Sequence, residues 1–344
     1  MRVAVALSGG VDSAAAALLL KKAGHEVIGL HMDLHSFSGD AWRLAKTAAY
    51  AIGIPVCRLD LRDDFEHTVI SVFLDEYRRG RTPSPCPICN RFMKAGRLLS
   101  EAKALGFDKL ATGHYAIASR TEDGPGVFRG LDAQKDQTYF LFMLTQNLLG
   151  DLMFPLGCFT KAGVREYLRS EGLSLPPSPE SQELCFIPGN DYREFLEGRG
   201  VAAEPGPIKD VDGKVLGTHR GVTCYTVGQR RGLGVCSSEP LYVLRLDPET
   251  NTLFVGPRSE TLVSAIRLKD FNLITTIPIE PGRRLDIKVR STARAAGCVV
   301  SAVRGREVEI TLDRPQSGVA PGQAGVLYSG DRVIGGGWIE ATRG

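Results

Sequence analysis

Val3-Ala4-Val5-Ala6-Leu7-Ser8-Gly9-Gly10-Val11-Asp12-Ser13-Ala14-Ala15-Ala16-Ala17-Leu18 decides the fold. It opens with an apolar run of strand length, breaks at two glycines, and continues as an Ala/Leu-rich helix for which Gly24 supplies a stop. A strand, a tight glycine turn and a helix N-terminus together make an anion cradle. The glycines let the backbone approach closely, and the first helical turn offers unpaired N–H donors and the positive end of the helix dipole. Ser8 and Ser13 add hydroxyl donors, and Asp12 stands ready to hold a magnesium ion or to position the loop. The Gly-Lys-Ser/Thr ending of a Walker loop is absent. A glycine-rich turn with no ligand is the bland alternative.

Outward from this loop, strand and helix signals alternate. Strands are expected at 27–32, 56–59 and 109–112, and helices at 42–52, 65–77 and 91–105, the last ended by Gly106. That order predicts a doubly wound parallel sheet, whose ligands bind beyond the carboxyl ends of the strands. Residues 139–200 read as mostly helical, with a proline-rich break at 175–179 that is expected to move. From about Pro205, short alternating runs are punctuated by Asp212-Gly213, Pro248-Glu249-Thr250-Asn251, Pro281-Gly282 and Pro321-Gly322, an all-β pattern with a break near 264–268. The expected class is α/β, with a nucleotide-type domain over 1–200, a small mostly β domain over 201–265 and a β-barrel over 266–344.

At 344 residues the chain is long enough for two or three cores. No apolar run approaches the ~20 residues of a membrane helix, and the start lacks a charged-then-apolar signal pattern. The expected compartment is the cytoplasm, without a membrane partner. A net charge of +3 permits a polyanionic partner without demanding one. Of eight cysteines, only Cys86 and Cys89 form a close pair, which in such a chain points to metal or redox chemistry rather than a structural disulfide.

Pro83, Pro85 and Pro87 stiffen the loop that carries this pair. Cys89 falls near a helix N-terminus, a place that lowers a thiol pKa. Two packing cysteines, or a zinc half-site lacking its second pair of ligands, are alternatives. Cys185, between Leu184 and Phe186, reads more readily as a core residue than as a catalytic one.

Six places, in order, resemble the bacterial and organellar tRNA-uridine 2-sulfurtransferase (tRNA-specific 2-thiouridylase) family over essentially the whole chain. They are Ala6 to Ser13; Gly80-Arg81-Thr82-Pro83 with Cys89-Asn90; Ala111-Thr112-Gly113-His114-Tyr115; Lys135-Asp136-Gln137-Thr138-Tyr139-Phe140; Cys185-Phe186-Ile187; and Tyr225-Thr226-Val227-Gly228-Gln229-Arg230-Arg231-Gly232-Leu233-Gly234. The first resembles the pyrophosphatase loop (PP-loop) of adenylating ATPases. The resemblance implies that Ala6, Leu7, Ser8, Gly9, Gly10, Val11, Asp12 and Ser13 hold ATP with Mg2+, and that Met32 and Gly113 meet its adenosine. It implies that Cys185 carries a persulfide and that Cys89 releases the sulfur by forming a disulfide with it. His114, Lys135, Asp136, Gln137, Arg290 and Gln323 match tRNA-contacting positions. The implied substrate is the wobble uridine in the anticodon arm of a tRNA. The implied sulfur donor is a cysteine desulfurase or relay protein, and a monomer is expected.

Two departures stand out. Ser84-Pro85-Cys86 replaces the family's Asn-Pro-Asp, so a thiol stands where an aspartate faces the target base. Cys86, Cys89 and Cys185 then resemble the three-cysteine set of tRNA thiolases that hold a [4Fe-4S] cluster with one open iron; intact persulfide chemistry is the alternative. Ser291 replaces the family's aromatic after Arg290 and cannot stack on a base. His31 and His35 read as structural or solvated, and Cys57, Cys158, Cys224, Cys236 and Cys298 as packing residues. Two rival functions remain at this stage: an amide-forming adenylating ligase, which needs no paired thiols, and an RNA-binding module with a vestigial loop.

Overall fold

The computed structural model describes residues 1–36, 39–173, 175, 184–187, 189, 191–201 and 203–344. Most of the proline-rich break, and Ser181 to Glu183 ahead of Cys185, lie outside the described residues.

Five parallel strands form the first sheet. They are β1 (Arg2–Ala6), β2 (Glu26–Asp33), β3 (Val56–Asp60), β4 (Lys109–Ala111) and, after the hairpin β5 (Ala116–Thr121) and β6 (Gly124–Arg129), β7 (Leu152–Met153). Their spatial order is β3-β2-β1-β4-β7. The chain moves outward from β1 through β3 and returns on the other side of β1, so the order reverses where the glycine loop leaves β1, the place where such sheets bind ligands. Helices cover both faces. On one, Val3 and Val5 meet the helices Val11–Lys22 and Gly39–Ile52, and Ala14 to Ala17 are fully buried, small enough to let the first helix lie close on the sheet. On the other, Ala4, Leu30 and Leu110 meet Ala95, Leu98, Leu99 and Ala102 of a helical run over 85–104.

A four-stranded sheet follows, with β8 (Gly206–Lys209), β9 (Val215–His219), β10 (Tyr242–Asp247) and β11 (Thr252–Gly256) in the order β10-β11-β8-β9. The last unit contains β12 (Leu262–Leu273), β13 (Arg284–Lys288), β14 (Ala296–Arg304), β15 (Glu307–Ser317), β16 (Ala324–Ser329) and β17 (Arg332–Arg343). These six close into a barrel through antiparallel pairing of β12 with β17. The chain is thus mixed α/β with a parallel sheet first, a small domain next and a closed β-barrel last.

Two expectations differ from the structure, and a hairpin went unread. β12 runs straight through 264–268; the turn comes earlier, at Arg258–Thr261 after Pro257, where the proline starts a tight helical turn. Residues 139–200 are less helical than their pattern suggests among the described residues: Gln146–Leu149 is a single turn, β7 is a strand, and the longer helices are Lys161–Ser170 and Tyr192–Gly198. The hairpin of β5 and β6 leaves the first sheet and joins the barrel, where Phe128 pairs with Arg332. Among the described residues no helix is long and apolar enough to cross a membrane.

Buried and half-buried polar ties lock the barrel to the first domain. Asn272 Nδ2 donates to the carbonyls of Phe142 (2.7 Å) and Leu144 (2.8 Å). Tyr139, fully buried, donates its hydroxyl to Ala324 O (2.9 Å) and accepts from Ala324 N (3.2 Å). Tyr139→Phe leaves both backbone groups of Ala324 without this partner in a dry place. It is expected to lower the unfolding free energy by about 1–3 kcal/mol, read as a drop in Tm.

Candidate active site

The glycine loop has the geometry of an anion cradle. Gly9 has φ +86, and a Cβ there would lie 2.6 Å from Ala45 N, so glycine is required for both shape and space. Ser13 Oγ donates to Gly10 O (3.0 Å) and lies 3.2 Å from Ser8 Oγ, and Ser8 N donates to Ser13 Oγ (3.3 Å). The Asp12 carboxylate receives Lys161 Nζ at 2.7 Å on each oxygen and the Tyr115 hydroxyl at 2.7 Å. Asp12 therefore positions the loop here, and Lys161 stands as a cation at the cradle's edge. Met32 is the penultimate residue of β2 and Gly113 lies two residues past β4, so both sit at the carboxyl edge of the sheet, where the loop leaves β1. A Cβ on Gly113 would lie 2.9 Å from Asp12 C and Ser13 N, so its backbone presses against the loop.

The next residue leads to the thiols. His114 is buried; its Nδ1 lies 2.6 Å from Thr112 Oγ1 and its Nε2 lies 3.4 Å from Lys94 Nζ. Lys94 donates to Nε2, so the neutral ring carries its proton on Nδ1 and donates it to Thr112. Burial, then the Lys94 charge, hold its pKa well below the usual histidine range. Lys94 also acts electrostatically on Cys86, Cys89 and Cys185 together. The 85–104 helix explains how. Between Cys89 and Leu98 it widens into a π-helix, whose i→i+5 bonds set residues five apart over one another. Cys89 and Lys94 thus share a face that α-helical spacing would split.

Burial pushes the Cys86 thiol up to about 11 and the Cys89 thiol up to about 12; Lys94 opposes this, and the neighbouring thiols add to it. Cys185 keeps an exposed edge, but burial among its neighbours raises it too. The activated thiolate expected at Cys89 is therefore not found. The helix starts at Pro85, six residues before the expected start at 91, and Cys89 N–H is already bonded to Pro85 O, so no free donor offsets desolvation. Each thiol is protonated at neutral pH and needs a charge or partner to ionise. His35, read from sequence as structural or solvated, bonds the backbone of Cys185. Among the described residues no group of three His, Cys, Asp or Glu side chains is arranged to hold a metal ion, so the expected three-cysteine cluster has no ready cage.

Three family profiles match in series: a tRNA methyl transferase HUP domain over 1–189, a tRNA methyl transferase PRC-barrel domain over 193–257 and an aminomethyltransferase β-barrel domain over 263–339. The tRNA-specific 2-thiouridylase MnmA of Carboxydothermus hydrogenoformans is 42% identical across 98% of this chain and 97% of its own. The chain belongs to the tRNA-specific 2-thiouridylase family. The Geobacter metallireducens member is 43% identical across 99% of this chain and 97% of its own. A solved U34-tRNA thiolase, NcsA from Methanococcus maripaludis with its [4Fe-4S] cluster, is 17% identical over 58% of this chain and 65% of its own, with a TM-score of 0.39. A likeness that low carries no argument about the thiols.

Several residues expected to meet tRNA are engaged inside the protein. Asp136 caps Thr138 (2.8 Å) and faces Lys288 at 4.0 Å, both ends of that pair being largely buried. Gln137 Oε1 accepts from Tyr115 N (3.0 Å). Gln323 Nε2 donates to the carbonyls of Thr82 (3.0 Å) and Pro83 (3.2 Å), tying the cysteine loop to the barrel. Arg290 remains exposed. Cys224 and Cys298 are buried as expected for packing residues, whereas Cys158 and Cys236 are exposed. Sequence reasoning missed Lys161, Lys94 and the Tyr115 hydroxyl. Only a lysine five residues after a catalytic-type cysteine hinted at any of them.

Lys94→Met removes the charge that holds all three thiols down. It is expected to slow alkylation of Cys86 and Cys89 about three- to tenfold at pH 8 and to move the rate–pH profile upward. Unchanged rates and profile would show that the lysine does not govern the thiols.

Proposed function

We propose that this chain thiolates the wobble uridine of a tRNA at C2, using ATP with Mg2+ to activate the oxygen. The observation that carries the reading is the physical continuity of the two half-sites. Gly113 presses on the phosphate loop, and its neighbour His114 holds the lysine that faces the three thiols. A ligase that forms amides has no use for that connection.

The uridine C2 oxygen is a poor leaving group. It attacks the α-phosphorus of ATP, the bond to pyrophosphate breaks, and the departing pyrophosphate rests on the loop N–H groups. Reaching C2 takes the base out of its stack, at a cost of a few kcal/mol. Sulfur from a desulfurase or relay protein rides on Cys185 as a persulfide. Its terminal sulfur attacks C2, and the C2–O bond breaks with AMP carrying the oxygen away. Cys89, as thiolate, attacks the Cys185 sulfur; the S–S bond breaks, sulfur stays on C2, and a Cys89–Cys185 disulfide forms that an outside thiol reduces. Lys94 is the cation beside every sulfur in this sequence and stabilises each thiolate as it forms. Asp12 would hold the Mg2+ that accompanies ATP, and Lys161, at the edge of the cradle, would help to neutralise phosphate charge.

Cys86 favours a second reading, in which Cys86, Cys89 and Cys185 would have to draw together to hold a [4Fe-4S] cluster, which would supply sulfide. Iron and acid-labile sulfide, measured on anaerobically reconstituted wild type and Cys86→Ala, separate the two. The persulfide reading expects neither element at stoichiometric level and 2-thiouridine formation surviving Cys86→Ala but abolished by Cys185→Ala. About four of each per chain, lost together with thiolation in Cys86→Ala, would replace it with the cluster reading.

A further inference from the structure

The central domain carries a cationic loop that the chemistry above leaves unused. Residues 226–234 leave the Val222–Cys224 turn and cross toward the barrel. Gln229 locks the loop: its Oε1 accepts from Thr226 N (3.1 Å) and its Nε2 donates to Arg231 O (2.9 Å). Its backbone is pinned to Val243 by a reciprocal pair, Gly228 N to Val243 O (2.8 Å) and Val243 N to Gln229 O (2.9 Å). Gly228, Gly232 and Gly234 take φ of +86, +76 and +71, conformations that suit glycine. Arg230 and Arg231 are thereby held out on a fixed turn, both exposed. Among the described residues neither meets a carboxylate in an ion pair. Arg230 lines an open hollow of about 400 Å³ with Ser237, Ser238, two of these glycines and the acidic Glu239.

The loop is registered to the rest of the site. A Cβ on Gly228 would lie 2.8 Å from Gly318 Cα, and one on Gly318 would lie 2.5 Å from Arg290 Nη2. Gly318 is thus sandwiched between the loop and Arg290, which carries the basic surface across to the barrel. On the other side Thr82 Oγ1 donates to Thr226 Oγ1 (3.2 Å), joining the loop to the segment that carries Cys86 and Cys89.

We propose that the 226–234 loop is a phosphodiester-binding site for the tRNA backbone, with Arg230 and Arg231 contacting phosphates and Arg290 extending the track. Exposed arginines bind a lone small anion weakly. A polyanion that spans several of them gains by releasing its condensed counterions, and cations on a preordered turn lose little freedom on binding. The glycines let a sugar–phosphate backbone come close, and the serine hydroxyls add neutral donors. The loop's bond to Thr82 makes binding there set the distance between the RNA and the thiols. The partner's identity rests on the thiolation reading.

The test is equilibrium binding of unmodified tRNA to wild type, R230A/R231A and R230K/R231K over roughly 50 to 200 mM salt. The alanine pair is expected to bind about tenfold or more weakly at the low end and to lose about 1–2 units from the slope of log K against log salt. The lysine pair is expected to keep most of both, and the alkylation rates of Cys86 and Cys89 to stay unchanged. Affinity and slope equal to wild type in the alanine pair would overturn the proposal alone. Failure of wild type to bind any tRNA would overturn the thiolation reading together with it.

Discussion

The close approach of Gly113 to the backbone of Asp12 and Ser13 is the constraint on which the rest of the site depends. Without a side chain there, the exit of β4 lies against the phosphate loop at the point where the sheet reverses its order. The following residue, His114, is consequently buried at the same edge and offers Nε2 to Lys94. Lys94 stands at the thiols because the helix that carries it is widened from Cys89 onward. The glycine loop and the three thiols are thus held at a fixed separation by one glycine, one neutral imidazole and one π-helical stretch.

The two β-domains act on that core through the cysteine loop. Thr82 N donates to Pro321 O (2.9 Å), Gln323 binds the carbonyls on either side of the Thr82–Pro83 bond, and Thr82 Oγ1 reaches Thr226. A Cβ at Gly80 would lie 3.1 Å from Pro248 of the central domain. The stretch that presents Cys86 is therefore gripped from both β-domains at once. Under the proposed function, RNA bound to those domains would bear directly on the geometry of the thiols.

What was legible in the sequence is what is local in it. The cradle needs only Ser8 to Ser13 and the helix after them, so its chemistry could be read from neighbours in the chain. Lys161 bonds Asp12 from 149 residues away, and no pattern around it announces that role. Lys94 was hidden by a period: five residues from Cys89 is the wrong face of an α-helix and the right face of a π-helix. The pKa expectation for Cys89 failed for a related reason. Position near a helix start is visible in sequence, whereas the burial that outweighs it is a tertiary fact. The β5–β6 hairpin went unread because its partner strand, β17, lies about two hundred residues on, at the far end of the chain.

The claim most exposed to test is that the uridine oxygen itself receives AMP. tRNA carrying 18O at C2 of the wobble uridine would be thiolated by the purified chain with unlabelled ATP and a sulfur donor, and the released AMP weighed by mass spectrometry. The account predicts AMP heavier by one 18O for each 2-thiouridine formed. Unlabelled AMP alongside thiolated product would contradict it, because the oxygen would then have left without ever being joined to phosphorus.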